Sequence, residues 1–221
     1  MSGTCGSPLR FIAWTFAVIG LIWGLAEGQT KTVRIVIETE LGSIEAEIDT
    51  VHAAATAANF LKYVDGGFYS GGRFHRTVKP DNQPNNNVKI EVIQASINAD
   101  RSKNGFPAIP LERTSVTGLL HKDGTISMAR SGPDTATSDF FICIGDQPSL
   151  DFGGARNPDG QGFAAFGRVT RGMDVVRKIQ AAPADKPPAN PQGLNPPIRI
   201  IAIRHLGISS EGNHPSGGDK L

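Results

Sequence analysis

The chain has 221 residues, 39% of them hydrophobic and 19% charged, with 22 Lys and Arg against 21 Asp and Glu. A formal charge of +1 offers no basic field for nucleic acid and no acidic solvating tail, and the apolar fraction excludes a disordered polymer. The 26 Gly and 15 Pro predict many turns between short strands, in a length that suits one or two domains.

Residues 1–28 read as a targeting segment. Arg10 ends a short leading region, Phe11 to Leu25 is apolar or small apart from Thr15, and Ala26-Glu27-Gly28 sets small residues before a cut after Gly28. This is the pattern of a cleaved secretory signal peptide. An uncleaved anchor is the weaker alternative, because the apolar run falls short of the ~20 residues that cross a bilayer. Export then predicts a periplasmic or secreted protein with no membrane attachment after cleavage. Cys5 is expected to leave with the leader, so Cys143 stands alone. It reads as a small buried hydrophobe on a strand, since no cationic neighbour in sequence lowers its pKa.

Val33 to Thr39 and Ser43 to Ile48 form an expected hairpin, with Ile44, Ala46 and Ile48 on one face and Ser43, Glu45 and Glu47 on the other. Ala53 to Asp65 reads as a helix, with Ala57, Phe60, Leu61 and Val64 as its apolar stripe and Gly66-Gly67 as its stop. Arg73 to Val78 is a strand. Lys79 to Asn87 (KPDNQPNNN) reads as a polar surface loop, after which Val88 to Ala95 resumes an extended pattern with Ile90, Val92 and Gln94 on one face.

Leu111 to Leu120 is expected to be extended or irregular. Thr125 to Ala129 and Phe140 to Ile144 are strands joined by the turn-rich Ser131-Gly132-Pro133-Asp134. In the second strand Phe140, Ile142 and Ile144 share one face and Phe141 and Cys143 the other. That pattern fits a strand buried on both sides, or one in which Phe141 lines a pocket. Phe163 to Val169 is a strand, and Gly172 to Ala181 a helix with Met173, Val176 and Ile179 or Gln180 inward. Pro183 to Pro197 cannot hold a helix and reads as a surface loop. Ile198 to Leu206 is the last strand, and residues 208–221 are an expected disordered tail. Many short strands with two helices predict a mainly β, closed antiparallel barrel.

No G-x-S-x-G, H-E-x-x-H, C-x-x-C or Walker pattern occurs, and His52, His75, His121, His205 and His214 are scattered. Asn157-Pro158-Asp159-Gly160 lacks the spacing and closing acid of a calcium loop and reads as a turn. No metal or cofactor is expected.

The run Ser127 to Ile142 (SMARSGPDTATSDFFI) resembles the central signature of the cyclophilin-type peptidyl-prolyl cis-trans isomerases. Upstream, Phe74-His75-Arg76 is similar to the family's catalytic-arginine strand. Downstream, Phe166-Gly167-Arg168-Val169 and Gly172-Met173-Asp174-Val175-Val176 are similar to its late strand and second helix. The resemblance covers residues 31–207 and looks most like the secreted bacterial branch. It implies an eight-stranded barrel with a helix over each open end, active as a monomer on proline-containing polypeptides. By the same resemblance Arg76 is the catalytic arginine and Gln94 its partner. Phe141 is the floor of the proline pocket, Leu150 and Phe163 are walls, Phe74, Val92 and Asp139 are further substrate-binding residues, and Ala129, Arg130 and Ser131 form an edge that pairs with the substrate backbone.

Departures from the family are concentrated in the walls. Glu91 and Val92 stand where Phe and Met are usual, so Ile90 or Val92 is expected to supply an apolar wall. Arg130 replaces a common Asn, Asp139 a common Gln, and Phe163 a common His. Ser149 stands where cyclosporin-sensitive members carry Trp, which predicts weak binding of that inhibitor. The expected function is isomerisation of X-Pro bonds in exported proteins; the alternative is a peptide-binding module or chaperone with little catalysis.

Overall fold

A computed structural model describes residues 1–3, 32–188 and 190–206. The expected leader with Cys5 and its cut after Gly28, and the tail 208–221, fall outside the described residues, apart from 1–3.

Eight strands form the architecture: β1 (Thr32–Thr39), β2 (Gly42–Asp49), β3 (Arg73–Val78), β4 (Val92–Ser96), β5 (Thr125–Met128), β6 (Phe140–Cys143), β7 (Ala164–Arg171) and β8 (Gly193–His205). They close into an antiparallel barrel in the order β1-β2-β7-β5-β6-β4-β3-β8. Closure removes the exposed edges that an open sheet must protect. The alternation in β1 and β2 places Ile35, Ile37, Ile44, Ala46 and Ile48 inside, with Glu45 and Glu47 on the outer face.

Helix α1 (Ala54–Asp65) buries Ala57, Phe60, Tyr63 and Val64. Phe60 meets Tyr69, Phe140 and Phe166 at ring centroid distances of 5.4, 5.5 and 5.1 Å, in the geometry aromatic pairs favour. No side chain beside its N-terminus caps it. The carboxylate of Glu112 does so from a distant loop, accepting from the N–H groups of Ala55 and Thr56 at 3.2 and 2.7 Å and from Thr56 Oγ1 at 2.6 Å. At the other end Gly67 takes φ +65°, the left-handed conformation in which a side chain is strained.

Strand β6 has apolar groups on both faces because it separates two clusters. Phe140, Ile142 and Ile144 belong to the barrel core, while Phe141 and Cys143 join Val78, Ile90, Val92 and Leu150 in a smaller cluster outside the wall. The Cys143 thiol is buried there, and burial pushes its pKa far up, so it serves as a small hydrophobe.

Four segments differ from their expectation. Lys79 to Asn87 is not wholly a surface loop: Asn82 and Gln83 are buried, because their amides supply hydrogen bonds the chain itself lacks. β4 begins at Val92 rather than Val88, since the Gln83 side chain takes up both the N–H and C=O of Ile90. Leu111 to Leu120 contains a helical turn, α2 (Thr114–Thr117), ended by Gly118. The proline-rich 183–197 segment yields to β8 from Gly193 onward. Helix α3 (Met173–Ala181) turns Val175, Val176 and Ile179 inward, with Met173 at its margin.

Candidate active site

The site begins with an irregularity in β3. Phe74 pairs with Ala95 of β4 and Arg76 with Gln94, so two steps on one strand match one on the other, with a register shift between them. His75 is the extra residue of a β-bulge. In a regular strand residues two apart share a face. The bulge reverses that relation and re-aims the next side chain. Phe74 therefore turns into the core against Phe140, with centroids 6.0 Å apart, and Arg76 turns onto the outer wall beside Gln94.

The Arg76 guanidinium is held on three sides. Nη1 donates to Gln94 Oε1 at 2.9 Å, while Nε and Nη2 donate to Gln192 Oε1 at 2.9 and 2.6 Å. Gln192 is fixed in turn: its amide donates to the Asn82 carbonyl at 3.1 Å and its own carbonyl accepts from the Thr77 N–H at 2.8 Å. Asn82 ties β3 to the proline-rich segment through the carbonyls of Thr77 and Pro191, at 2.9 and 3.2 Å. Three of the five guanidinium N–H groups are engaged, leaving two. Burial, and then the nearby Arg156, lower the pKa of Arg76 from its usual value.

Arg76 and Gln94 open onto a cleft of about 220 Å³ floored by Phe141 and walled by Ile90, Val92, Leu150 and Phe163. Phe163 stands edge-on to Phe141 at 5.3 Å and 87°. Beneath the floor His121 stacks on Phe141 at 6.0 Å and 13°. Its Nδ1 lies 2.7 Å from Asp151 Oδ1 and its Nε2 3.0 Å from Ser127 Oγ. Serine, histidine and carboxylate in line have the appearance of a hydrolytic relay, but Ser127 and His121 are buried and Ser127 has no access to a substrate. The relay instead locks the ring that supports the floor. Leu150 and Phe163 are drawn together by the Phe163 N–H to Leu150 carbonyl bond at 3.0 Å. Gly162 permits this approach, since at φ +65° any Cβ would sit 2.6 Å from Asp151 backbone carbon. On the rim Arg130 lies over the Phe163 ring at 5.0 Å, donates to the Gly162 carbonyl, and forms a bidentate pair with Asp159 at 2.8 and 3.0 Å.

Residues 34–205 match the profile of the cyclophilin type peptidyl-prolyl cis-trans isomerase/CLD family. A peptidyl-prolyl cis-trans isomerase of Acinetobacter baylyi is 35% identical over 79% of this chain and 86% of its own length, and peptidyl-prolyl cis-trans isomerase A of Dickeya dadantii is 33% identical over 77% and 83%. A solved cyclophilin-type isomerase of Cryptosporidium parvum superposes with a TM-score of 0.63 at 21% identity, covering 80% of this chain and 99% of that one. The chain belongs to the cyclophilin-type peptidyl-prolyl cis-trans isomerases.

Of the residues singled out in the sequence, the cleft of this isomerase gathers Arg76, Val92, Gln94, Ala129, Arg130, Phe141, Leu150 and Phe163. Three expected residues lie elsewhere. Phe74 is in the core, for the reason the bulge supplies. Ser131 is exposed, and its N–H already donates to Thr135 Oγ1 at 3.1 Å, which removes it as a donor to a bound chain. The Ala129 N–H likewise donates to the Asp139 carbonyl, so Arg130 is the edge residue whose main chain has no partner among the described residues. Asp139 lines a separate groove of about 630 Å³ with His75 and touches the site only from behind, through a hydrogen bond with Gln94. Burial raises its pKa, opposed by His75 and by bonds from Gln94 and Ser138.

Gln192, Asn82, Gln83, Arg156 and Asn157 were not legible as site residues. They sit in polar or proline-rich loops whose only visible signal is turn chemistry, and contacts such as Arg76 to Gln192 span 116 positions.

Proposed function

We propose that this isomerase acts on X-Pro bonds of exported polypeptides, with Arg76 as the group that stabilises the twisted bond. Amide resonance sets a barrier of about 20 kcal/mol to that rotation. Twisting takes the imide nitrogen's lone pair out of conjugation, so the nitrogen becomes a better acceptor in the transition state than in either planar state. A donor directed at it lowers the barrier without favouring the ground states. Arg76 suits the task because its charge is permanent, two N–H groups remain free, and two glutamines fix the plane of its fork. Phe141, Leu150 and Phe163 would hold the proline ring, and the Arg130 main chain would hold the segment on one side while the other side turns. A solved cyclophilin-type isomerase of Cryptosporidium parvum was determined in the presence of the dipeptide Ala-Pro, in keeping with proline as the anchoring residue.

The observation that carries the reading is the convergence of Arg76, Gln94 and Phe141 on one cleft. Arg76→Ala is expected to lower kcat/KM in a proline-isomer assay about 10²- to 10³-fold. Full activity in that variant rejects the role of Arg76, and retained peptide binding without isomerisation by the wild type favours a binding module.

Export and a place in a secreted branch rest on the apolar leader and Ala26-x-Gly28, and the similarity to isomerases of two bacteria is in keeping with a bacterial-like chain. The mature protein is read as a monomer free of the membrane. N-terminal sequencing is expected to find a chain starting near residue 29; a soluble cytosolic chain starting at Met1 would overturn export.

A further inference from the structure

Among the described residues the proline cleft is lined by three arginines, Arg76, Arg130 and Arg156, and by no carboxylate, in a chain whose overall charge is only +1. Arg130 is neutralised by its bidentate pair with Asp159. The other two have no such partner: neither forms an ion pair among the described residues, and all the acceptors that hold them are neutral amides or carbonyls. Arg156 is aimed by Nη1 alone, which donates to Gln83 Oε1 at 2.8 Å and to the Val88 carbonyl at 2.7 Å. Its Nη2 carries no bond among the described residues, and Arg156 lines the cleft. Arg156 is also close enough to Arg76 to disfavour the latter's charge. Two guanidiniums held by a neutral scaffold in one partly buried cleft form an uncompensated positive site, and an anion from the ligand is what would relieve it.

We propose that the cleft prefers proline-containing segments with an aspartate or glutamate adjoining the proline, and that Arg156 receives that carboxylate. This rests on the reading of the cleft as the proline site. The proline ring fills the apolar floor, while the neighbouring side chain reaches the rim where Arg156 and Asn157 stand. Arg156 acts here as a specificity residue, separate from the twisting of the bond. Its scaffold is Gln83, in the polar segment Lys79 to Asn87, and the carbonyl of Val88 directly after it.

The test uses two matched pairs of short peptides, one pair with Glu or Gln directly before the proline and one with Glu or Gln directly after it. Isomerisation is measured by NMR exchange, and affinity by chemical-shift titration, with wild type, Arg156→Gln and Arg156→Lys. In one pair the wild type is expected to favour the Glu peptide about three- to tenfold, an advantage that shrinks as salt is added. Arg156→Gln should bring the Glu-to-Gln ratio to one, and Arg156→Lys should keep much of it. Because each ratio is taken within one variant, a general loss of activity from a disturbed loop cancels. A wild type that favours Glu over Gln in neither pair overturns the proposal, as does a preference that survives in Arg156→Gln. If the wild type accelerates none of the peptides, the isomerase reading fails on its own, and the affinity ratios still decide whether Arg156 selects acidic segments.

Discussion

Arg76 is useful only if its fork is aimed, and the aiming falls largely to Gln192, whose single oxygen takes two of its three bonds. Gln192 is a positioning residue on this view, since it acts through the arginine. Gln192→Ala removes an acceptor from a charged donor, an interaction worth about 1.5–3 kcal/mol. It should lower kcat about tenfold while KM changes little, because the apolar floor that binds proline is untouched. The Arg76 side-chain NMR signal should broaden as the fork gains freedom. Gln192→Glu keeps the acceptor for Arg76 but loses the donor to the Asn82 carbonyl, so it should recover only part of the rate. An unchanged kcat in Gln192→Ala removes Gln192 from the machinery. The sequence made Arg76 and Phe141 recognisable because each lies in a contiguous motif. Gln192 had no such context, being one polar residue among prolines whose meaning comes only from the chain folding back on β3.

Among the elements, those written in alternation or in a helical stripe were legible, and those that borrow their stabilisation from afar were not. β2 and α1 belong to the first kind. The start of β4 belongs to the second, since Gln83 replaces a strand partner for Ile90. The cap of α1 also belongs there, because Glu112 is 56 positions from Thr56, although the helix itself starts within one residue of the expected Ala53. A carboxylate on two helix N–H groups and a hydroxyl gains from both capping and the helix dipole. Glu112→Ala should destabilise the protein by about 1–2 kcal/mol in urea unfolding. Glu112→Gln, which keeps an acceptor without the charge, should cost less. Equal losses in the two variants would show that charge has no part in the cap, and no loss in either would show that water replaces it.

For the whole molecule, barrel closure was foreseeable from many short strands without a long helix, but the bulge at His75 was not, because a one-residue offset leaves no mark in composition or periodicity. That offset also sets a pair of half-buried titrating groups on one groove, His75 and Asp139. Burial lowers the His75 pKa and raises that of Asp139. The two have opposite consequences for stability. His75 has a folded pKa below its ordinary 6.5, so its contribution is present above pH 6.5 and is lost as pH falls toward the folded value. Asp139 has a folded pKa above 3.8, so the folded state prefers it protonated; its favourable contribution is full below pH 3.8 and is lost as pH rises through the folded value. At neutral pH ionised Asp139 therefore weakens the fold. Asp139→Asn keeps an oxygen for Gln94 and Ser138 and removes the buried charge. It should melt higher than wild type at pH 7, the advantage should shrink as pH falls through the folded pKa, and below pH 3.8 the difference should no longer depend on pH. His75 loses its ionised neighbour in the variant, so the acid loss that begins below pH 6.5 should come earlier and steeper there than in wild type. Thermal midpoints of both proteins from pH 2 to 8 decide the matter. A variant less stable than wild type at pH 7 would mean that the bonds from Gln94 and Ser138 to the carboxylate outweigh the burial of its charge.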